Sequence, residues 1–169
     1  MDQYFSQIIG MPVVDQHGGP LGRIFNLVID PATGKIVAFA LNLSAQRIVA
    51  PIDVIEWTHE LCVQDENDVI DADEIQQVTQ IRHKHIEIFR NKVITKEGQY
   101  LGRVTDFALD SKFFKLSRLM VAKFFLGIFP YQKRLIEAHE IIEIHRKAIV
   151  VKNDREAIRL KPFQMPAGS

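Results

Sequence analysis

Leu21-Gly22-Arg23-Ile24 returns 80 residues later as Leu101-Gly102-Arg103-Val104, and that recurrence decides how the whole chain is read. Both stretches keep their surroundings. Without a gap, Val13-Val14 falls on Val93-Ile94, Gly18 on Gly98, Asn26-Leu27 on Asp106-Phe107, Ile29-Asp30 on Leu109-Asp110 and Lys35-Ile36 on Lys115-Leu116. Farther on, Arg47-Ile48-Val49 meets Arg134-Leu135-Ile136 and Val54-Ile55-Glu56 meets Ile141-Ile142-Glu143, now 87 residues apart, so the second copy carries seven extra residues. Self-similarity at a fixed period marks a repeated structural unit. The expected organisation is a first copy over 1–75, a linker or short helix over 76–85, a second copy over 86–160 and a loose tail over 161–169 that bears proline and glycine.

Composition bounds the class. With 47% hydrophobic and 25% charged residues, the 169-residue chain is that of an ordinary folded protein. Copies of roughly 70–80 residues are near the lower limit for a self-sufficient core, which favours packing against each other or a partner. No apolar run approaches the roughly 18–20 residues that span a bilayer, and Met1-Asp2-Gln3-Tyr4 lacks the basic start of a signal peptide. The single cysteine, Cys62, excludes an internal disulfide and fits a reducing, cytoplasmic setting. The net charge of zero hides a split: residues 1–75 hold twelve acids and three bases, a balance of −9, and the rest balances at +9. Such a split suits either mutual attraction of the copies or a basic face for an acidic partner.

The chain reads as a succession of short strands. Gly10 to Asp15 is extended, and His17-Gly18-Gly19-Pro20 is a turn. Leu21 to Asp30 is rich in apolar and β-branched residues that do not alternate cleanly, the pattern of a bulged strand in a small barrel. Asp30-Pro31-Ala32-Thr33-Gly34-Lys35 makes a hairpin connection, with Gly34 suited to a left-handed conformation. Phe113-Phe114 replace Thr33-Gly34 in the second copy, so that turn is expected to be built differently. Residues 71–81 are expected to form a short helix capped by Asp71 or Asp73.

An apolar pair, a glycine turn, Leu-Gly-Arg-Ile/Val, a following Asn/Asp and an apolar run ending in Asp together resemble the PRC-barrel domain. That family is named for the cytoplasmic part of the photosynthetic reaction-centre H subunit and is similar to the C-terminal part of a ribosome maturation factor. The resemblance covers about residues 7–75 and 86–157. It implies an all-β fold of two tandem small six-stranded barrels, used for binding other proteins, with no common enzyme activity and no obligatory cofactor.

Chemistry-bearing residues are few. His83-Lys84-His85, with His139 and His145, do not supply the ligand set and spacing of a zinc site. Cys62 has no evident base or oxyanion partner, and neither Leu-Gly pair belongs to a phosphate-binding motif. Asp30 with Asp110, and Asn26 with Asp106, recur because the repeat recurs, and suit turn and strand-end hydrogen bonding. Gly22 and Gly102 suit a bulge or a close backbone approach. The informative departure is Phe124-Phe125-Leu126-Gly127-Ile128-Phe129-Pro130-Tyr131, inside the lengthened loop Lys123 to Lys133 of the second copy and flanked by Lys123, Lys133 and Arg134.

If exposed, Phe125, Leu126, Ile128, Phe129 and Tyr131, ringed by Lys123, Lys133 and Arg134, would bind a protein groove or a membrane interface. If folded back, they would seal a barrel or the seam between copies. The expected function is a non-enzymatic protein-interaction adaptor in the cytoplasm, docking at a membrane surface or on a protein complex. The alternative is an RNA-processing or ribosome-assembly factor. Nucleic acid is the less favoured partner, since the bases are scattered among acids and regularly spaced stacking aromatics are absent. A homodimer stays open. No catalytic, cofactor or metal residue is assigned.

Overall fold

In a computed structural model, residues 1–42 and 44–152 are described, so the expected tail over 161–169 and the end of the second copy, 153–160, lie outside the described residues. The elements follow in order: β1 (Asp2–Tyr4), the one-turn helix α1 (Phe5–Ile8), β2 (Pro12–Val14), β3 (Pro20–Ile29), β4 (Ile36–Leu41), β5 (Ser44–Val49), β6 (Val54–Trp57), β7 (Leu61–Val63) and β8 (Ile70–Asp71). Helix α2 (Gln76–His83) precedes the second set, β9 (Lys92–Thr95), β10 (Tyr100–Asp110), β11 (Lys115–Phe125), β12 (Phe129–Glu137), β13 (Ile141–Ile144) and β14 (Ile149–Val151).

The repeat survives as topology. One sheet runs β8-β5-β4-β3-β2-β7-β6 and the other β12-β11-β10-β9-β14-β13, so that six equivalent strands keep the same order and β8 adds to the edge of the first. Register agrees as well: Phe39 faces Val49 and Ala40 faces Ile48, where Leu119 faces Ile136 and Met120 faces Leu135. The fold is all-β, as expected. β3 is also bulged as its irregular apolar pattern implies, with register breaks between Ile24 and Asn26 and between Val28 and Ile29. Leu101 is buried, whereas its equivalent Leu21 is only half-buried.

By its contacts the chain forms two compact units, and the division does not follow the repeat. Among the described residues, the first unit is Met1–Ile86 together with Ala108–Ser117, and the second is Glu87–Phe107 and the chain from Arg118 to Lys152. A ten-residue piece of the second copy thus belongs to the first unit. Backbone pairing explains part of this: β1 adds to the end of β10, with Gln3 opposite Leu109. The two hairpin turns also bond reciprocally, Ile36 N–H donating to Phe114 O and Leu116 N–H to Gly34 O, both at 2.8 Å.

Side chains explain the rest. The Phe114 ring lies 5.5 Å from that of Trp57 and 6.3 Å from that of Phe39, and Phe39 and Trp57 meet edge to face at 5.2 Å. Such aromatic pairs are favourable beyond the area they bury. The expectation that this turn is built differently from its counterpart is corrected by the backbone. Gly34 has φ +73° and Phe114 φ +52°, and Asp30 and Asp110 each accept the N–H two residues on, at 2.9 and 2.8 Å. The turn is the same, with a bulky residue held where glycine belongs.

Helix α2 closes the outer face of the first sheet. Val78 and Ile81, three apart and so on one side, pack on Val28, Ala38, Ala40 and Ile48, the small alanines leaving room for the helix. The expected span of 71–81 is corrected in part: Asp71 caps a tight 3-10 turn over Ala72–Glu74, accepting from Asp73 N–H at 2.9 Å, and α2 starts afresh at Gln76.

Phe114→Gly should be more stable than Phe114→Ala by about 1 kcal/mol, although glycine removes one more carbon, because only glycine occupies positive φ without strain. Denaturant midpoints of the two variants check this; the ordinary order, alanine above glycine, would refute a strained Phe114.

Candidate docking surface

The residues that recur in both copies are occupied with the backbone. Gly22 and Gly102 have φ +147° and +134° at strand bulges, and a Cβ on Gly102 would stand 2.3 Å from Ala122 O. The following arginines reach back to hold a carbonyl: Arg23 Nη1 donates to Gly10 O at 2.7 Å and Arg103 Nη1 to Arg90 O at 3.1 Å. Asn26 and Asp106 accept their own next N–H, from Leu27 at 2.8 Å and Phe107 at 2.9 Å. The Phe113 N–H, with that of Lys112, holds the Asp110 carboxyl below its usual pKa against the opposing effect of burial. These polar groups build turns and bulges and are committed there.

Burial pushes the Cys62 thiol pKa up, and the carboxylates of Glu56, Glu60 and Asp15 push it further, the reverse of an activated nucleophile. Its Sγ donates at 3.7 Å to Asp15 O and Val63 O. His83 ends α2, His85 follows at φ +51°, and both are exposed; His139 is exposed, and His145 Nε2 pairs with Glu143 Oε2 at 2.9 Å. Among the described residues, no three His, Cys, Asp or Glu side chains are grouped so as to hold a metal ion, and no helix is long and apolar enough to cross a membrane.

The insertion is where the second copy gains a surface. Equivalent strands in the first copy turn back at once, with Leu41 opposite Ser44. β11 and β12 instead continue as a hairpin through Ala122 opposite Lys133, Lys123 opposite Gln132, Phe124 opposite Pro130 and Phe125 opposite Phe129. Burial changes abruptly along it. Val121 and Ala122 are 1% exposed, Lys123 is half-buried, and beyond it Phe125 is 51%, Leu126 74%, Ile128 71% and Phe129 45% exposed. Phe124 and Tyr131 are exposed too.

Of the two readings of this stretch, exposure is the one observed. One member of the expected basic rim is corrected: Arg134 is 7% exposed, opposite buried Val121, and so lies below the tip in the body of the sheet. Lys133 is exposed beside it, since neighbours on a strand point to opposite faces. Tyr100, on β10, was missed by reading the insertion alone; the ammonium groups of Lys92 and Lys123 stand 5.8 and 6.0 Å from its ring.

The turn at the tip carries its own signal. Ile128 N–H donates to Phe125 O at 3.2 Å, with Leu126 at φ +52° and Gly127 at +70°. Two left-handed residues in a hairpin turn ordinarily call for Asn-Gly. Leucine at the first position combines backbone strain with apolar exposure.

The family model of the PRC-barrel domain matches residues 1–78 and again 86–158. The chain therefore belongs to the PRC-barrel domain family, with two copies in tandem. A search of the curated proteins finds no match to it.

Leu126→Asn should raise the stability of the protein by about 1 kcal/mol, because asparagine enters the left-handed region at lower cost and exposes less apolar surface. Equilibrium unfolding measures it; a loss of stability would show that the Leu126 side chain is packed.

Proposed function

We propose that this tandem PRC-barrel protein is a non-enzymatic adaptor that attaches to a larger assembly through the β11–β12 hairpin of its second copy. The carrying observation is the run Phe124 to Tyr131, in which the large apolar side chains are exposed on a hairpin extension that the shorter connection of the first copy lacks. A contiguous apolar patch of this kind marks an interaction site on a folded protein. The residues shared by the copies support the reading from the other side, since Gly22, Arg23, Asn26, Asp30 and their equivalents serve the backbone. We place the adaptor in the cytoplasm, where a reducing pool keeps Cys62 a free thiol.

The four-fold change of Phe125, Leu126, Ile128 and Phe129 to serine tests the reading. In extract of the source cells, the unaltered chain should migrate in a fraction heavier than its own 19.4 kDa, and the serine variant should migrate alone with a thermal midpoint within a few degrees of the original. Unchanged migration of a folded variant would remove the hairpin from the function. An unfolded variant would assign these side chains to the core.

A further inference from the structure

We infer that the hairpin tip takes an anionic lipid bilayer, with Phe125, Leu126, Ile128 and Phe129 below the lipid phosphates and Lys123 and Lys133 among them. The inference rests on the docking reading above and names the chemistry of what is docked.

Four observations carry it. The first is the lack of sidedness. A strand that lies in a protein groove buries alternate residues, because successive side chains point to opposite faces. Here Phe124, Phe125, Leu126, Ile128 and Phe129 are all exposed, so the tip presents apolar surface all round. A fluid interface surrounds such a wedge, whereas a one-sided groove covers half of it.

The second is depth. From Lys123 to Phe125 is two residues of strand, about 7 Å at the usual rise per residue, and the turn at Leu126 lies beyond them. Peripheral elements reach roughly 5–10 Å into the boundary between headgroups and acyl chains. Lys123 and Lys133 therefore meet the phosphates as the four apolar side chains enter the acyl region, with Tyr131 and Tyr100 near the level where aromatic rings with a polar end collect.

Charge is the third. From Lys123 to Lys133 the hairpin holds these two bases and no acid. Lys92 and Lys123 also both stand within about 6 Å of the Tyr100 ring centroid at the base of the tip. A second copy of this chain docking tip to tip would set these cations against each other, while anionic headgroups neutralise them. The fourth is Leu126 itself, held in a left-handed conformation where Asn would be unstrained. Strain kept at an exposed position points to a use for the side chain.

The experiment uses the purified full chain and sedimentation with phosphatidylcholine vesicles, with and without phosphatidylglycerol. The chain should partition to the anionic vesicles at least ten-fold better, and each of Lys123→Gln and Lys133→Gln should lower partition roughly five-fold, with raised salt acting the same way. Leu126→Asn, stable or stabilised, should lower it as well. Leu126→Trp should shift to blue emission on the anionic vesicles, readable against the single buried Trp57.

Equal partition to both vesicle types would overturn the phosphate contact. Unaltered partition of the four-serine variant would overturn insertion. No partition, with tip-dependent heavy migration persisting in extract, would overturn the lipid and keep the docking reading. Tip-dependent dimers in sedimentation velocity would put a second copy in the lipid's place, and loss of both behaviours would overturn both proposals.

Discussion

The ring of Phe114 stands against Phe39 and Trp57, and the first unit depends on that contact. Holding a phenylalanine at φ +52° costs about 1–2 kcal/mol, more than one backbone hydrogen bond contributes net. The strain persists because the surroundings leave the residue no alternative. Its carbonyl accepts from Ile36, Asp110 ties the turn on one side, and the ring finds a T-shaped neighbour in Phe39 and a tilted one in Trp57. Strained residues survive in folded proteins when the structure around them over-determines their conformation. In this chain the over-determination comes from a neighbouring copy's core.

Much of this architecture was legible in the residues, and the reason is that turns and bulges make narrow chemical demands. Gly22 and Gly102 had to be glycine because the backbone of β11 comes against Gly102 and because both have positive φ. Asn26 and Asp106 each carry a short acceptor that takes the N–H of the next residue, a role few side chains can fill. Shared demands at an 80-residue spacing are what made the repeat visible and led from it to the family. The Phe114 turn was misread because a bulky residue in a left-handed turn is stabilised only by tertiary contacts, to which local turn rules are blind. The division of units across the repeat was hidden for the same cause. Composition alone puts Arg134 on the rim with Lys133, but neighbours on a strand point to opposite faces, so Arg134 turns inward opposite Val121.

The copies also differ in how they treat apolar side chains. On the first sheet, Ala38 and Ala40 make space for α2, which removes Val78 and Ile81 from water. At the β11–β12 tip, apolar groups of comparable size are carried outward beyond Lys123 and left in water. Exposing them gains the monomer nothing, since burial is the main favourable contribution to folding. Duplication allowed the division: one copy keeps the compact turn at Leu41 and Ser44, and the other lengthens the same connection without disturbing the shared sheet order.

The residence of Ala108–Ser117 in the first unit also bears on biosynthesis. Domains generally fold as they leave the ribosome, the N-terminal one first. Here residues 1–86 emerge with an unfilled place beside Phe39 and Trp57 and with no partner for β1, and both are supplied only once the chain has been made through Ser117. At translation speeds of about 5–20 residues per second, that leaves the nascent first unit incomplete for seconds. For that interval Phe39 and Trp57 lack the ring that covers them in the finished unit.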